Sequence, residues 1–284
     1  ASATSIQNNT FTNFNMTTSN TGSTACVGIN IANGAVNIGT VTGNMIGSSA
    51  ATGAIVFTAT ANTGGFIGIR TGAGGPIVTS NNTVSGIDLF GSATVTPVFN
   101  GINAGGGTPV TISNNVIGSP SMANSINAVS AYNSTSAQTI RGIIVNGGTT
   151  STVSGNLIAN MNSNIIASGT TAHTVVGIAI VSTNSTVSGN TIRNLYSSSQ
   201  STSGGSAPSV IGISYTSTVA PAVISANTIH TLKNTNSTTV SGPVVAGLYY
   251  GGASGTTNLI ERNNIHSLVL TSNTVNSSSA ITGM

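Results

Sequence analysis

Apolar and polar positions alternate in short bursts along this chain, and the bursts recur. Seven stretches share one pattern: VTGNMIGSS at 41, TSNNTVSGI at 79, ISNNVIGSP at 112, VSGNLIANM at 153, VSGNTIRNL at 187, ISANTIHTL at 224 and IERNNIHSL at 260. A looser copy, IQNNTFTNF, starts at 6. An asparagine sits at the centre of each: Asn9, Asn44, Asn82, Asn115, Asn156, Asn190, Asn227 and Asn263. Positions −3 and +2 from it are apolar in all copies but Thr79 at −3 of Asn82, as in Val153/Ile158, Val187/Ile192, Ile224/Ile229 and Ile260/Ile265. Position +5 is often apolar as well: Phe14, Ile87, Met161, Leu195, Leu232 and Leu268.

A second anchor is a glycine followed by positions +1 and +3 that are mostly apolar, as in Ile143/Val145 and Ile178/Ile180. Its copies are Gly28, Gly68, Gly101, Gly142, Gly177, Gly212, Gly247 and Gly283. Alternation of period two predicts short strands, each with one face buried. The asparagines are separated by 35, 38, 33, 41, 34, 37 and 36 residues. Strands at a fixed long period predict an all-β solenoid of about eight coils, filling residues 1–284 as a single domain. Coils stacked at the strand spacing of about 4.8 Å give a rod of roughly 38 Å.

Both anchors have a physical task. An amide at the same corner of every coil can donate to a carbonyl of the next coil and satisfy polar groups inside the stack. Asparagine also tolerates the left-handed backbone of a tight bend. The segments between Asn and the following Gly vary in length and are rich in Ser and Thr, for example SSSQSTSGGSAPS at 197, NTNSTTVSGP at 234 and TSNTVNSSSA at 271. Part of each is expected to supply a strand and the rest a loop, because insertions on one face leave a stack undisturbed.

Composition supports strands over helices. Charged residues make up 2% of the chain, and Gly, Ser, Thr, Asn, Val and Ile dominate. The mean hydropathy of +0.29 is enough for a core. The net charge of +3 comes from five scattered bases, so no basic cluster exists to hold nucleic acid. No apolar run approaches the roughly 18 residues of a membrane-spanning helix. Cys26 is the single cysteine, which excludes an intrachain disulfide, and its apolar setting reads as a buried thiol.

The segments VSGNTIRNL and ISANTIHTL, with the spaced partner VGIAI, resemble the parallel β-helix repeats of large secreted bacterial proteins. Similar Ser/Thr/Asn/Gly-rich arrays occur in adhesin-like surface proteins of the Bacteroidota. The resemblance implies a right-handed parallel β-helix, export to the cell surface or beyond, and no catalytic residues.

Candidate chemistry is sparse. β-Helical polysaccharide-cleaving enzymes need neighbouring carboxylates, and the acids here are Asp88 and Glu261, in the third and eighth repeats. Five coils separate them by roughly 24 Å, too far to act together, so no enzymatic activity is expected. Neither cofactor nor metal is expected, since a zinc site would lack its third ligand. Arg193, His230 and His266 each follow their asparagine by three residues and are expected to form an axial column. Two readings of it stand: a cationic patch for an acidic glycan or phosphate, and an exposed polar column. Tyr215 and Tyr250 share the inward parity, whereas Tyr249 points outward as a candidate ligand contact. A groove lined by Tyr249 and the histidines would favour a glycan.

Positions −4 and −2 from the asparagine give Thr40/Thr42, Thr111/Ser113, Thr152/Ser154 and Thr186/Ser188. Outward Thr ranks resemble ice-binding faces, although Val223 and Leu259 interrupt this one. The resulting expectation is an extracellular or surface-attached structural or adhesive solenoid, a fibre subunit or stalk segment. Its partners would be further copies stacked end to end, neighbouring repeats of a longer chain, or a surface glycan. Recognition of a glycan or of ice is the alternative reading.

Overall fold

A computed structural model describes residues 2–22, 24–61, 64–91, 97–130, 138–164, 173–199, 208–236, 245–252, 254, 257–271 and 281–284. Every regular element among them is a strand, and every strand pair is parallel. The strands form a β-solenoid whose coils each pass through three sheets. The first sheet holds the strands before each asparagine, from Thr4–Ile6 to Leu259–Glu261, eight in sequence order. The third holds the strands around each glycine, from Cys26–Asn33 to Ile281–Thr282, also eight. Six coils lie between two neighbours, and one coil lies at each end.

The second sheet follows the asparagine and changes along the rod. In the first four coils it consists of two short strands, such as Thr83–Ser85 and Ile87–Gly91. From Leu157–Asn164 onward each coil supplies one longer strand. A left-handed residue bends the chain here in every coil: Asn13, Gly47, Gly86, Gly118, Asn160, Asn194, Thr231 and Ser267. The loop-expected Ser/Thr segments thus begin as strand, with Thr191–Ser197 and Thr228–Asn234 extending into them. Residues 200–207, 237–243 and 272–280 of those segments lie outside the described residues.

The core is a stack of identical places. Position +5 forms one column, Phe14, Ile55, Ile87, Ile126, Met161, Leu195, Leu232 and Leu268, in direct register. Ile55 and Ile126 hold places that a fixed spacing does not find, because loops intervene in coils two and four. Position −3 forms another column, including Ile112, Val153, Val187 and Ile224, all fully buried. In coil two the register gives that place to Ile38. Val41, which the repeat pattern puts there, is 85% exposed. The chain bulges between Ile38 and Asn44, and this carries Thr40 and Thr42 out of the Thr rank and into the bend.

The glycine anchors are required by close approach. A Cβ at Gly142 would lie 2.6 Å from the Gly177 carbonyl oxygen and 2.7 Å from Ile158 Cγ2. The same clash repeats at Gly101, Gly177 and Gly212. At this column the third sheet touches the +2 aliphatic column of the second sheet, so no side chain fits between them. The parity also shifts there: Ile140 and Ile143, on either side of Gly142, both enter the core.

Candidate functional site

The asparagine column is a continuous amide ladder. Each Nδ2 donates to the Oδ1 of the next asparagine at 2.8–3.0 Å, from Asn9–Asn44 to Asn227–Asn263. Each backbone N–H donates to that same Oδ1 at 2.9–3.1 Å. From Asn44 onward, each Nδ2 also donates to the carbonyl at −3 in the preceding coil, 2.8–3.1 Å away. The ladder therefore joins amide to amide as well as amide to main chain. The left-handed bend is not at the asparagine itself but one residue earlier, at Asn8, Asn81, Asn114, Gly155, Gly189, Ala226 and Arg262. The pivot keeps ordinary backbone angles, which aims its side chain along the axis.

Outward positions of the second sheet carry Asp88, Arg193, His230, Lys233 and His266. Arg193, His230 and His266 stand in direct register, as the spacing predicts. The two imidazoles stack with centroids 4.9 Å apart and planes 1° from parallel. Burial, then the adjacent His266 ring and Arg193 guanidinium, lower the proton affinity of His230. Arg193 reaches back to the Pro120 carbonyl, beyond its register partner Ala159, which is fully buried. His230 Nδ1 lies 2.9 Å from Thr231 Oγ1, and His266 Nδ1 lies 3.0 Å from Ser267 Oγ. Thr231 has φ of 57°, a region that β-branched residues rarely enter, and such strain concentrates at functional positions.

A further column runs three residues beyond: Asp88, Asn127, Asn162, Tyr196, Lys233 and Val269. Burial raises the Asp88 carboxyl, and its hydrogen bond with Asn127 partly offsets this. Asn162 Nδ2 donates to Asn127 Oδ1 at 3.1 Å. Beside this column an open groove of about 610 Å³ is lined by Asn124, Asn162, Asn164, Tyr196, Thr231, Lys233, Thr235 and Val269. The sequence reading missed it, along with the second asparagine column at +4, where Asn194 Nδ2 donates to Asn160 Oδ1 at 3.0 Å. The recurring Asn13, Asn160 and Asn194 carried that signal.

Tyr249 is on another face. It pairs in register with Ser214 in the third sheet and packs half-buried against Ile144, Val176, Ala179, Ile211 and Ala246. It does not share a groove with the histidines. Tyr215 and Tyr250 stack at 5.5 Å, with Tyr215 fully buried in the core and Tyr250 packed against it.

No family model, curated protein or solved structure matches the chain.

Asp88 and Glu261 lie on different sheets, and Glu261 is held by Arg262 at 2.6 Å. Cys26 is buried, and burial pushes its thiol up. His173 is fully buried at the edge of the third sheet, and its Nδ1 accepts from the Gln138 N–H at 2.9 Å. Its proton is therefore on Nε2, which has no partner among the described residues. Burial pushes this imidazole down to about 4. Among the described residues, no three His, Cys, Asp or Glu side chains cluster to hold a metal.

Proposed function

We propose that the chain is an extracellular structural or adhesive β-solenoid, acting as a fibre subunit or stalk segment. The observation that carries this reading is the directionality of the ladder. Every coil offers an N–H and Nδ2 donor pair toward the higher-numbered coil and an Oδ1 acceptor toward the lower one. Any coil stacked beyond Asn263 or before Asn9, from another copy or from further repeats of one chain, meets complementary groups. Apolar residues stand ready at the same faces, Phe11, Phe14 and Ile31 at one and Ile265, Leu268 and Leu270 at the other. With charged residues at 2%, little electrostatic repulsion opposes such contact. The resemblance to secreted repeat arrays supports an extracellular setting and an adhesive role.

We read the protein as non-enzymatic, since the separation of Asp88 from Glu261 favours no paired carboxylate chemistry. An ice-binding face is the weaker reading. The outward rank of the first sheet runs Asn37, Val78, Thr111, Thr152, Thr186, Val223 and Leu259, so Thr fills only three consecutive places. Negative-stain electron microscopy of the purified chain at low salt tests the stacking. Filaments with an axial repeat of about 38 Å are expected. Dispersed short rods would overturn self-association.

A further inference from the structure

We propose that the groove on the second sheet binds a linear acidic oligosaccharide lying along the rod axis. The assignment rests on the adhesive half of the reading above and is independent of end-to-end stacking. Three features argue for it.

The first is charge. Lys233 lines the groove, and Arg193, His230 and His266 stand in register across the Asn194, Thr231 and Ser267 bends from it in coils six to eight. Five of the chain's eight Lys, Arg and His residues, Arg262 included, thus lie on three consecutive coils. Among the described residues no carboxylate lines the groove, and the one ion pair, Arg262 with Glu261, belongs to the first sheet. Lys233 has no hydrogen-bond or ion-pair partner among them. A half-buried lysine side chain without a counter-charge favours an anionic ligand.

The second is the mixture of partners. The Tyr196 ring can lie against the C–H face of a sugar, and Asn124, Asn162 and Asn164 supply amides that both donate to and accept from vicinal hydroxyls. A nucleic acid would need more fixed cations than Lys233 and an Arg193 already engaged with the Pro120 carbonyl. The third is shape. The lining residues come from coils four to eight, so the open groove extends over roughly 19 Å of the axis. That length suits an extended chain of several sugars. The strained Thr231 sits between the groove and the histidine column and joins the two.

Titration calorimetry at low salt tests this with four probes: a polyuronate hexasaccharide, a neutral glucan hexasaccharide, polyphosphate and a single-stranded oligonucleotide. The polyuronate is expected to bind at least tenfold more tightly than the other three. Lys233→Met and Tyr196→Ala are each expected to weaken it at least tenfold with unchanged thermal unfolding. Thr152→Ala on the first sheet is expected to leave it unchanged. The assignment is overturned if polyuronate does not bind, if either groove variant binds it as well as wild type, or if polyphosphate or the oligonucleotide binds equally tightly. If polyuronate fails to bind while filaments still form, the groove assignment falls and the structural reading stands.

Discussion

A single asparagine in the ladder answers for several hydrogen bonds at once. Asn156 Oδ1 accepts from both donors of Asn115, and its Nδ2 reaches Asn190, Ile112 and Ser154. Asn156→Ala leaves the buried Asn115 N–H without its acceptor and strips the Ile112 carbonyl and Asn190 Oδ1 of a donor, while Asn115 Nδ2 keeps the Thr79 and Ser113 carbonyls; each group left unsatisfied costs about 1–3 kcal/mol. A total loss of about 3–5 kcal/mol is expected in urea unfolding, against about 1 kcal/mol for Asn9→Ala at the exposed end of the ladder. Equal losses at the two positions would argue against a cooperative column. His173 acts at the same scale through its proton. Its folded pKa of about 4 lies below the ordinary value of 6.5, so the folded state resists protonation. Its contribution is fully present above pH 6.5 and is lost as pH falls from 6.5 toward 4, amounting to about 2–3 kcal/mol. Unfolding midpoints at pH 7.5 and 4.5 check this. His173→Gln, which keeps an acceptor for the Gln138 N–H, should lose less stability on acidification than wild type.

At the scale of strands and bends, two glycines that look alike in sequence do different things. Gly177 lies mid-strand, where a Cβ would be 2.5 Å from the Gly212 carbonyl oxygen and 2.7 Å from Ile192 Cγ2. Neither contact can relax without moving the ladder of the third sheet. Gly189 has φ of 63° with nothing within 4 Å of an added Cβ. Gly189→Ala is therefore expected to cost about 1 kcal/mol of backbone strain. Gly177→Ala is expected to cost at least about 3 kcal/mol or to prevent folding, as overpacking against rigid backbone does. Comparable thermal midpoints for the two variants would contradict the close-approach account. The repeat pattern made both anchors legible, because spacing and residue type recur. The bulge before Asn44 was not legible: the local sequence VTGN matches the repeat, and only the pairing of Ile38 with Thr79 shows that Val41 lies outside the strand.

For the molecule as a whole, each coil contacts its neighbours through equivalent columns, so stability should be a sum of coil and interface terms. Deleting residues 150–183 joins Thr149 to Asn184, which occupies the place of Thr150 in the register. That variant should keep a β-type circular dichroism spectrum with a lowered unfolding midpoint. Deleting residues 150–164 removes part of a coil, leaves the stacked columns out of phase and should yield no folded protein. Folding of the second variant alongside the first would refute the modular account.

The sequence by itself determined what repeats: strands in place of helices, the coil length, the ladder asparagines, the spacer glycines and the axial order of Arg193, His230 and His266. These follow from period-two alternation and a fixed long period, which any stack of like coils must preserve. The tertiary structure alone decided which outward residues share a face. Tyr249 stands in the third sheet against an apolar cluster, while Tyr196 and Lys233 line the groove beside the histidines. The physical reason is that left-handed bends and inserted loops turn the chain between sheets, and one bend residue redirects every side chain beyond it. Period and parity along the sequence carry no measure of that angle.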